Sequence, residues 1–269
     1  MRSLTEVQNN PFRDAISASR PLIGVWSMLN STNAVEGLAW SGFDWLLIDG
    51  EHSPVTLADA MSHLRTLAAT PTIPIVRLAW NDPVLLKQYL DAGATTLMLP
   101  YVQDQHEAAS AVRAMRYPPN GRRGVAAMHR ASRYGRVRDY LQRADQELFL
   151  IVQIETLDAL SQLDAILAVD GVDAVFFGPG DLAASMGLTG RADHPDVTAA
   201  IDAGLIRVRQ TTKAAGVLAP NPTIAEHHIR AGFDFVSVAN DFALLLNAAD
   251  TAAARFHSFA GDRLAVAAS

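Results

Sequence analysis

The 269-residue chain contains no cysteine, which excludes disulfides, thiolate metal ligands and cysteine nucleophiles. Lysine is almost as scarce, with only Lys87 and Lys213 against twenty arginines. Lys87 falls in a helical pattern at 83–90 and Lys213 late in an expected helix before Gly216. Neither offers the pocket amine that imine chemistry on a carbonyl substrate needs. No apolar stretch approaches the roughly 20 residues that span a membrane. The start, Met1 to Asp14, is polar and lacks the hydrophobic segment of a secretory signal, so a cytoplasmic location is expected. Positive charge is in deficit too. A net charge of −6 and a pI near 5.7 argue against a nucleic-acid partner, which calls for a basic patch.

What is present is a core. Hydrophobic residues make up 49% of the chain and charged residues 19%, and α/β barrels of about 250 residues fold as one domain. Short apolar runs at 22–26, 44–48, 74–77, 96–99, 148–154, 172–177, 216–219 and 234–238 read as parallel strands covered on both faces. Helical stretches fall between them, among them 56–69, 82–92, 103–116, 157–168, 196–215 and 223–231. Asp91-Ala92-Gly93 and Arg230-Ala231-Gly232 each end a helix on glycine just before a strand. Eight such units predict a (β/α)₈ barrel occupying 1–269 as one domain, with a doubly wound open sheet as the alternative. Residues 117–135 form the longest irregular stretch, of a length common in lids and subunit contacts. The Ala/Leu-rich helix at about 240–260 is expected to pack on a neighbouring subunit.

Function is expected where the strands end, because barrels gather their chemistry at the carboxyl rim. The run 148–154 ends in Glu155, and 172–177 breaks into Gly178-Pro179-Gly180-Asp181. Residues 45–48 lead into Asp49-Gly50-Glu51-His52, and Ile75-Val76 into Arg77. Two carboxylates leave most of an octahedral shell open, which suits Mg²⁺ or Mn²⁺ with a bidentate 2-oxo acid. Such a metal polarises the keto oxygen as a Lewis acid. The segment 178–181 opens a helix whose free amides suit a substrate carboxylate. Each assignment has a plainer rival. Asp181 reads equally as a helix N-cap, Glu155 as a strand-end salt-bridge partner, Arg77 as half of a structural ion pair, and His52 as a turn cap. His63, His106, His227 and His228 read as solvated helix-face residues, and Arg122, Arg123, Arg130 and Arg133 as loop or interface charges.

Taken in order, Ile48-Asp49-Gly50-Glu51-His52, Val76-Arg77, Trp80-Asn81-Asp82, Arg116-Tyr117-Pro118-Pro119, Gln153-Ile154-Glu155-Thr156 and Gly178-Pro179-Gly180-Asp181-Leu182 resemble the HpcH/HpaI group of class II pyruvate aldolases, over about residues 20 to 255. The likeness is strongest to its 4-hydroxy-2-oxoheptanedioate (2-keto-3-deoxy acid) aldolases. The resemblance implies a (β/α)₈ barrel, assembled as a hexamer, that uses a divalent cation (Mg²⁺, Mn²⁺ or Co²⁺) to form pyruvate enolate and add it to an aldehyde. It implies Glu155 and Asp181 as metal ligands, Arg77 at the keto oxygen, and His52 with Asp49 as the proton-handling pair. Trp26 and Leu218 are implied as pocket walls, and Gln153, Gly178, Pro179 and Gly180 as further substrate-binding positions. Asp91 is carried along as an interface or proton-relay candidate. The chain departs from the pattern at Gly180, where relatives often carry alanine, and at Pro220. A malyl- or citryl-type acyl-CoA lyase and a non-catalytic metabolite-binding barrel are the competing functions.

Overall fold

In the computed structural model, which describes residues 6–7, 9–18 and 20–267, the apolar runs form eight parallel strands. These are β1 (Leu22–Ser27), β2 (Trp45–Asp49), β3 (Ile73–Arg77), β4 (Thr96–Leu99), β5 (Phe149–Ile154), β6 (Ala174–Phe177), β7 (Ala214–Leu218) and β8 (Phe235–Asn240). Each pairs with the next and β8 pairs back to β1, closing the expected (β/α)₈ barrel. The flanking helices are α1 (Pro11–Ile16), α2 (Thr32–Ala39), α3 (Leu57–Leu67), α4 (Pro83–Asp91), α5 (Gln105–Met115), α6 (Tyr140–Arg143), α7 (Leu157–Ser161), α8 (Leu163–Leu167), α9 (Pro179–Ser185), α10 (Pro195–Val208), α11 (Pro222–Ala231) and α12 (Asp241–Ala267). Among the described residues no helix is long and apolar enough to cross a membrane. The expected domain span also takes in positions 1–5, 8, 19 and 268–269, which lie outside the described residues.

Successive strand residues face opposite ways, so each run feeds two cores. Leu46, Ile48, Val76, Leu150, Val152, Val175 and Val217 pack outward beneath the helices. Trp45, Leu47, Ile75, Met98, Phe149, Ile151, Phe176 and Phe235 fill the interior. Phe12 of α1 closes the bottom, edge-on to Trp45, Phe149 and Phe235. Asn10 caps that helix and donates to Glu147 O, Thr95 O and Thr96 Oγ1, which ties it to the barrel floor. Gly24 faces the Trp45 ring and Gly216 the Phe235 ring, leaving no room for a Cβ at either position.

Three expectations need correction. The helix expected over 196–215 stops at Val208, and Ala214-Ala215 pair with β6 instead. Alanine favours helix locally, but Ala214 packs in the interior cluster with Phe176 and Phe235 and Ala215 in the layer beneath the helices, so packing overrides propensity. Lys213 is therefore in the turn before β7, donating to Val172 O at 2.6 Å, on the floor of the barrel. The helix expected over 157–168 divides at Gln162, whose N–H is shared between Asp158 O and Ala159 O. Finally, the long loop after α5 joins a helix to β5 and so runs along the floor, where no rim lid can form. Its Arg130 donates to Ala92 O and Leu64 O, and the side chain of Arg123 is fully buried over the Tyr117 ring. These two arginines are internal braces rather than free loop charges.

Candidate active site

The inward parity that packs the interior carries on to the rim. Trp45, Leu47 and then Asp49 point inward on β2; Ile73, Ile75 and then Arg77 do so on β3; Phe149, Ile151 and then Gln153 on β5. Trp26 tops β1 and Leu218 tops β7 in the same way. Polar side chains are thus delivered to one water-poor cup by the residues beneath them.

Asp49 and Arg77 are direct register partners. Arg77 Nε and Nη2 donate to the two Asp49 carboxylate oxygens at 2.9 Å each, the two-pronged geometry that fixes a guanidinium. Nη1 lies 2.6 Å from Glu51 Oε2 and donates to Gln153 Oε1 at 3.4 Å. The guanidinium carbon sits 4.3 Å from the centre of the Trp26 ring, a stacked cation–π contact. Arg77 and Asp49 are both buried.

Glu155 is also buried, at 2% exposure. Its Oε1 accepts from the Tyr101 backbone N–H at 2.7 Å and its Oε2 from Gln153 Nε2 at 3.0 Å. Gly178 is required beside it, because a Cβ there would stand 2.7 Å from Glu155 Oε2. Burial pushes the Glu155 carboxyl up to about 7, with the Asp181 and Glu51 charges adding to the rise against the Tyr101 hydrogen bond and Arg77. Glu51 is likewise raised, first by burial. Asp181 stands exposed in the first turn of α9, and Gly178 gives that turn no side-chain cap. An added Cβ at Gly180 meets nothing within 4 Å, so alanine fits there freely.

His52 lies at the same rim, but its partner differs from the one expected. Asp49 is committed to Arg77, while the exposed imidazole has its Nε2 3.8 Å from Glu51 Oε1. Asp49 reaches His52 only through the backbone, accepting from Glu51 N and His52 N. Asp91 is elsewhere. At the foot of α4 it pairs with Arg123 at 2.6 Å, with His129 3.7 Å away, and within one chain it joins no proton path to the rim. His63 and His228 are buried, contrary to the solvated faces expected, whereas His106 and His227 are exposed.

Three further residues belong to the rim, of which Glu51 and Trp80 stand in the sequence motifs without an expected role and Tyr101 stands outside them. Glu51 is the second carboxylate on Arg77. Tyr101, in left-handed backbone at φ 56°, aims its N–H at Glu155. Trp80 stacks on Tyr101 with ring centres 6.0 Å apart, and both rings are exposed. All three follow strand ends, so the rim rule already applied to Asp49 and Glu155 reaches them as well.

Four carboxylates (Asp49, Glu51, Glu155 and Asp181) surround one arginine. Glu51 Oε2 is buried without a well-aligned hydrogen bond, and Arg77, the cation acting on Glu155, is already bonded to Asp49 and in contact with Glu51. An all-oxygen donor set short of positive charge fits a hard divalent cation.

Comparison with known proteins identifies the family. The family model described as HpcH/HpaI aldolase/citrate lyase matches residues 22–248. A 4-hydroxy-2-oxo-heptane-1,7-dioate aldolase of Escherichia coli is 49% identical over 248 residues, covering 92% of this chain and 95% of that protein. Its Klebsiella pneumoniae counterpart is 50% identical over 249 residues, covering 92% and 94%. Among solved structures, an HpcH/HpaI aldolase/citrate lyase family protein from Burkholderia cenocepacia superposes with a TM-score of 0.87 at 41% identity, over 91% of this chain and 98% of that one. The chain belongs to the HpcH/HpaI aldolase/citrate lyase family.

Proposed function

We propose that this chain is a divalent-metal-dependent class II aldolase that cleaves and forms 4-hydroxy-2-oxo acids, with pyruvate or a related 2-oxo acid as donor and an aldehyde as acceptor. Family membership and the named aldolases that match 92% of the chain support a carbon–carbon lyase. The metal reading rests on the carboxylate excess around Arg77 and Glu155. Glu155 and Asp181 would hold Mg²⁺, Mn²⁺ or Co²⁺, which, when bound, supplies Lewis-acid polarisation of the 2-oxo group.

The chain's own residues then divide the work. Arg77, fixed on three sides, keeps an N–H of Nη2 free for the oxygen that turns negative as the enolate forms. In cleavage His52 takes the proton from the C4 hydroxyl, the C3–C4 bond breaks, its electron pair passes to C3 and the aldehyde leaves. Condensation returns that proton to the aldehyde oxygen. Trp26 and Leu218 wall the donor pocket, Gln153 braces Glu155, and Gly178, Pro179, Gly180 and Asp181 border the substrate carboxylate. The same proposal includes a homo-oligomer, a hexamer, working in the cytoplasm.

Chelation is the test. EDTA should abolish cleavage, and Mg²⁺, Mn²⁺ or Co²⁺ should restore it; full turnover by metal-free protein would overturn the reading. Pyruvate methyl-proton exchange in deuterated buffer separates an aldolase from a non-catalytic barrel, which leaves the methyl signal intact. No feature of the rim favours the acyl-CoA lyase alternative, which needs basic contacts for a nucleotide tail.

A further inference from the structure

Away from the rim, on the outer helix layer, Asp202 of α10 meets His227 and His228 of α11. Among the described residues this is the group in which three metal-ligating side chains converge, their ligand atoms all within 4.8 Å of one another. His227 Nε2 is 2.8 Å from Asp202 Oδ2, and His228 Nδ1 is 3.9 Å from Asp202 Oδ1. A surface ion pair accounts for His227 and one carboxylate oxygen. It leaves out the others: Asp202 Oδ1 and His228 Nδ1 are both buried from water with no hydrogen-bond partner. Buried polar atoms in native proteins are almost always satisfied, so an adjacent orphan pair calls for a missing partner. That partner must be attractive to both an anionic oxygen and an imidazole nitrogen, which describes a cation.

The surroundings fit one. The His228 ring is 1% exposed and lies edge-on to Phe233 at 5.0 Å, which pins it in place. Burial holds its pKa down to about 4, so the ring is neutral and its nitrogen lone pair available at neutral pH. His227 and Asp202 reach the surface and leave an entry path. Two imidazoles and one carboxylate are a borderline donor set, suited to Zn²⁺ or Co²⁺ and unsuited to Mg²⁺, in contrast to the oxygen-only rim. Tetrahedral Zn²⁺ at about 2.0–2.1 Å from each ligand sets ligand atoms about 3.3 Å apart. The ligand atoms, one from each residue, lie within 4.8 Å of one another. The imidazole nitrogens stand 2.8 Å and 3.9 Å from the nearer carboxylate oxygen, Oδ2 for His227 and Oδ1 for His228, so a small side-chain adjustment reaches that spacing.

We propose that Asp202, His227 and His228 form a second, transition-metal site that binds a four-coordinate Zn²⁺-class ion with water as fourth ligand and staples α10 to α11. The two helices flank β7, whose end carries Leu218, so the site is structural and lies outside the chemistry.

Cobalt titration of the full-length, metal-stripped enzyme in excess Mg²⁺ tests this, because four-coordinate Co²⁺ absorbs visible light far more strongly than six-coordinate Co²⁺ on oxygen ligands. Wild type should develop the strong bands up to about one equivalent per chain. Asp202→Asn and His227→Ala, both at partly exposed positions, should lose them while keeping aldol cleavage in Mg²⁺. Glu155→Gln should keep them. Zn²⁺ should raise the melting temperature of wild type in the same buffer and leave that of His227→Ala unmoved. Bands that survive His227→Ala, bands lost in Glu155→Gln, or no strong bands in wild type would each overturn the site.

Discussion

At the scale of single residues, Arg77 shows how a structural ion pair and a functional group can be one side chain. Its two bonds to Asp49 and its contact with Glu51 settle its orientation before any substrate arrives, so no ordering of the guanidinium is needed on binding. Arg77→Lys keeps the charge but cannot span Asp49 with two donors while facing Glu51. It should lower pyruvate methyl-proton exchange and cleavage by about 10²–10³, the usual loss for an oxyanion contact. Near-normal exchange in the lysine variant would return Arg77 to a purely structural role. His52 poses the opposite problem, since it is exposed and lightly held. His52→Ala should slow aldol cleavage by about 10²–10⁴ while leaving Mn²⁺ affinity unchanged, because the ring is not among the proposed ligands. Equal losses of both would show that His52 acts by supporting the metal carboxylates. Asp49, Arg77 and Glu155 are legible in the sequence because each ends or follows a strand whose buried residues declare its direction, whereas Gln153 is reached only through the family resemblance. The Asp49–His52 pairing was not legible. Separation by three residues in a turn says nothing about the side chain opposite, and the cross-strand partner Arg77 had the better geometry.

At the scale of elements, the apolar runs revealed the strands and left two features hidden. Interior volume is shared between strands, so Gly24 and Gly216 make sense only once Trp45 and Phe235 are seen opposite them. Gly216→Ala should therefore destabilise by about 1–3 kcal/mol through overpacking, read as a lower urea midpoint at unchanged slope; an unmoved midpoint would mean the rings have space to yield. The second hidden feature is α11. His227 and His228 are neighbours expected together in solvent, yet His227 is exposed while the His228 ring is buried against Phe233. The buried ring has a testable consequence. Its pKa falls from 6.5 to about 4 on folding, so between those values the unfolded chain binds the extra proton. Unfolding free energy should then decline as pH falls from about 6.5 to 4, by up to about 3 kcal/mol from this group. In chelator, His228→Gln should flatten that slope relative to wild type. Matching slopes in the two proteins would show that the ring takes up its proton without unfolding.

At the scale of the whole molecule, α12 is the part that one barrel does not explain. Its first residue is anchored: buried Asp241 accepts from Ser27 Oγ and from the Met28 and Leu29 amides. Beyond that anchor every side chain from Leu244 to His257 is exposed. The exposed set includes Leu245, Leu246, Phe256 and Phe259. Exposed large apolar side chains in this number on one helix point to a protein contact, and a closed homo-oligomer is the usual way for a chain to cover such a surface. The Ala/Leu-rich composition made the helix legible, whereas its full run, Asp241–Ala267, extends beyond the 240–260 expected from the sequence. Light scattering after size exclusion should therefore give a particle several times the 28.9 kDa chain mass, six times in the proposed assembly. Phe256→Asp with Phe259→Asp would bury two carboxylates in that contact and should shift the population to smaller species at equal concentration. Far-ultraviolet circular dichroism of the barrel should change little, since neither ring packs inside it. A wild-type particle of one chain mass, or a double variant with unaltered mass, would mean that α12 is covered in some other way.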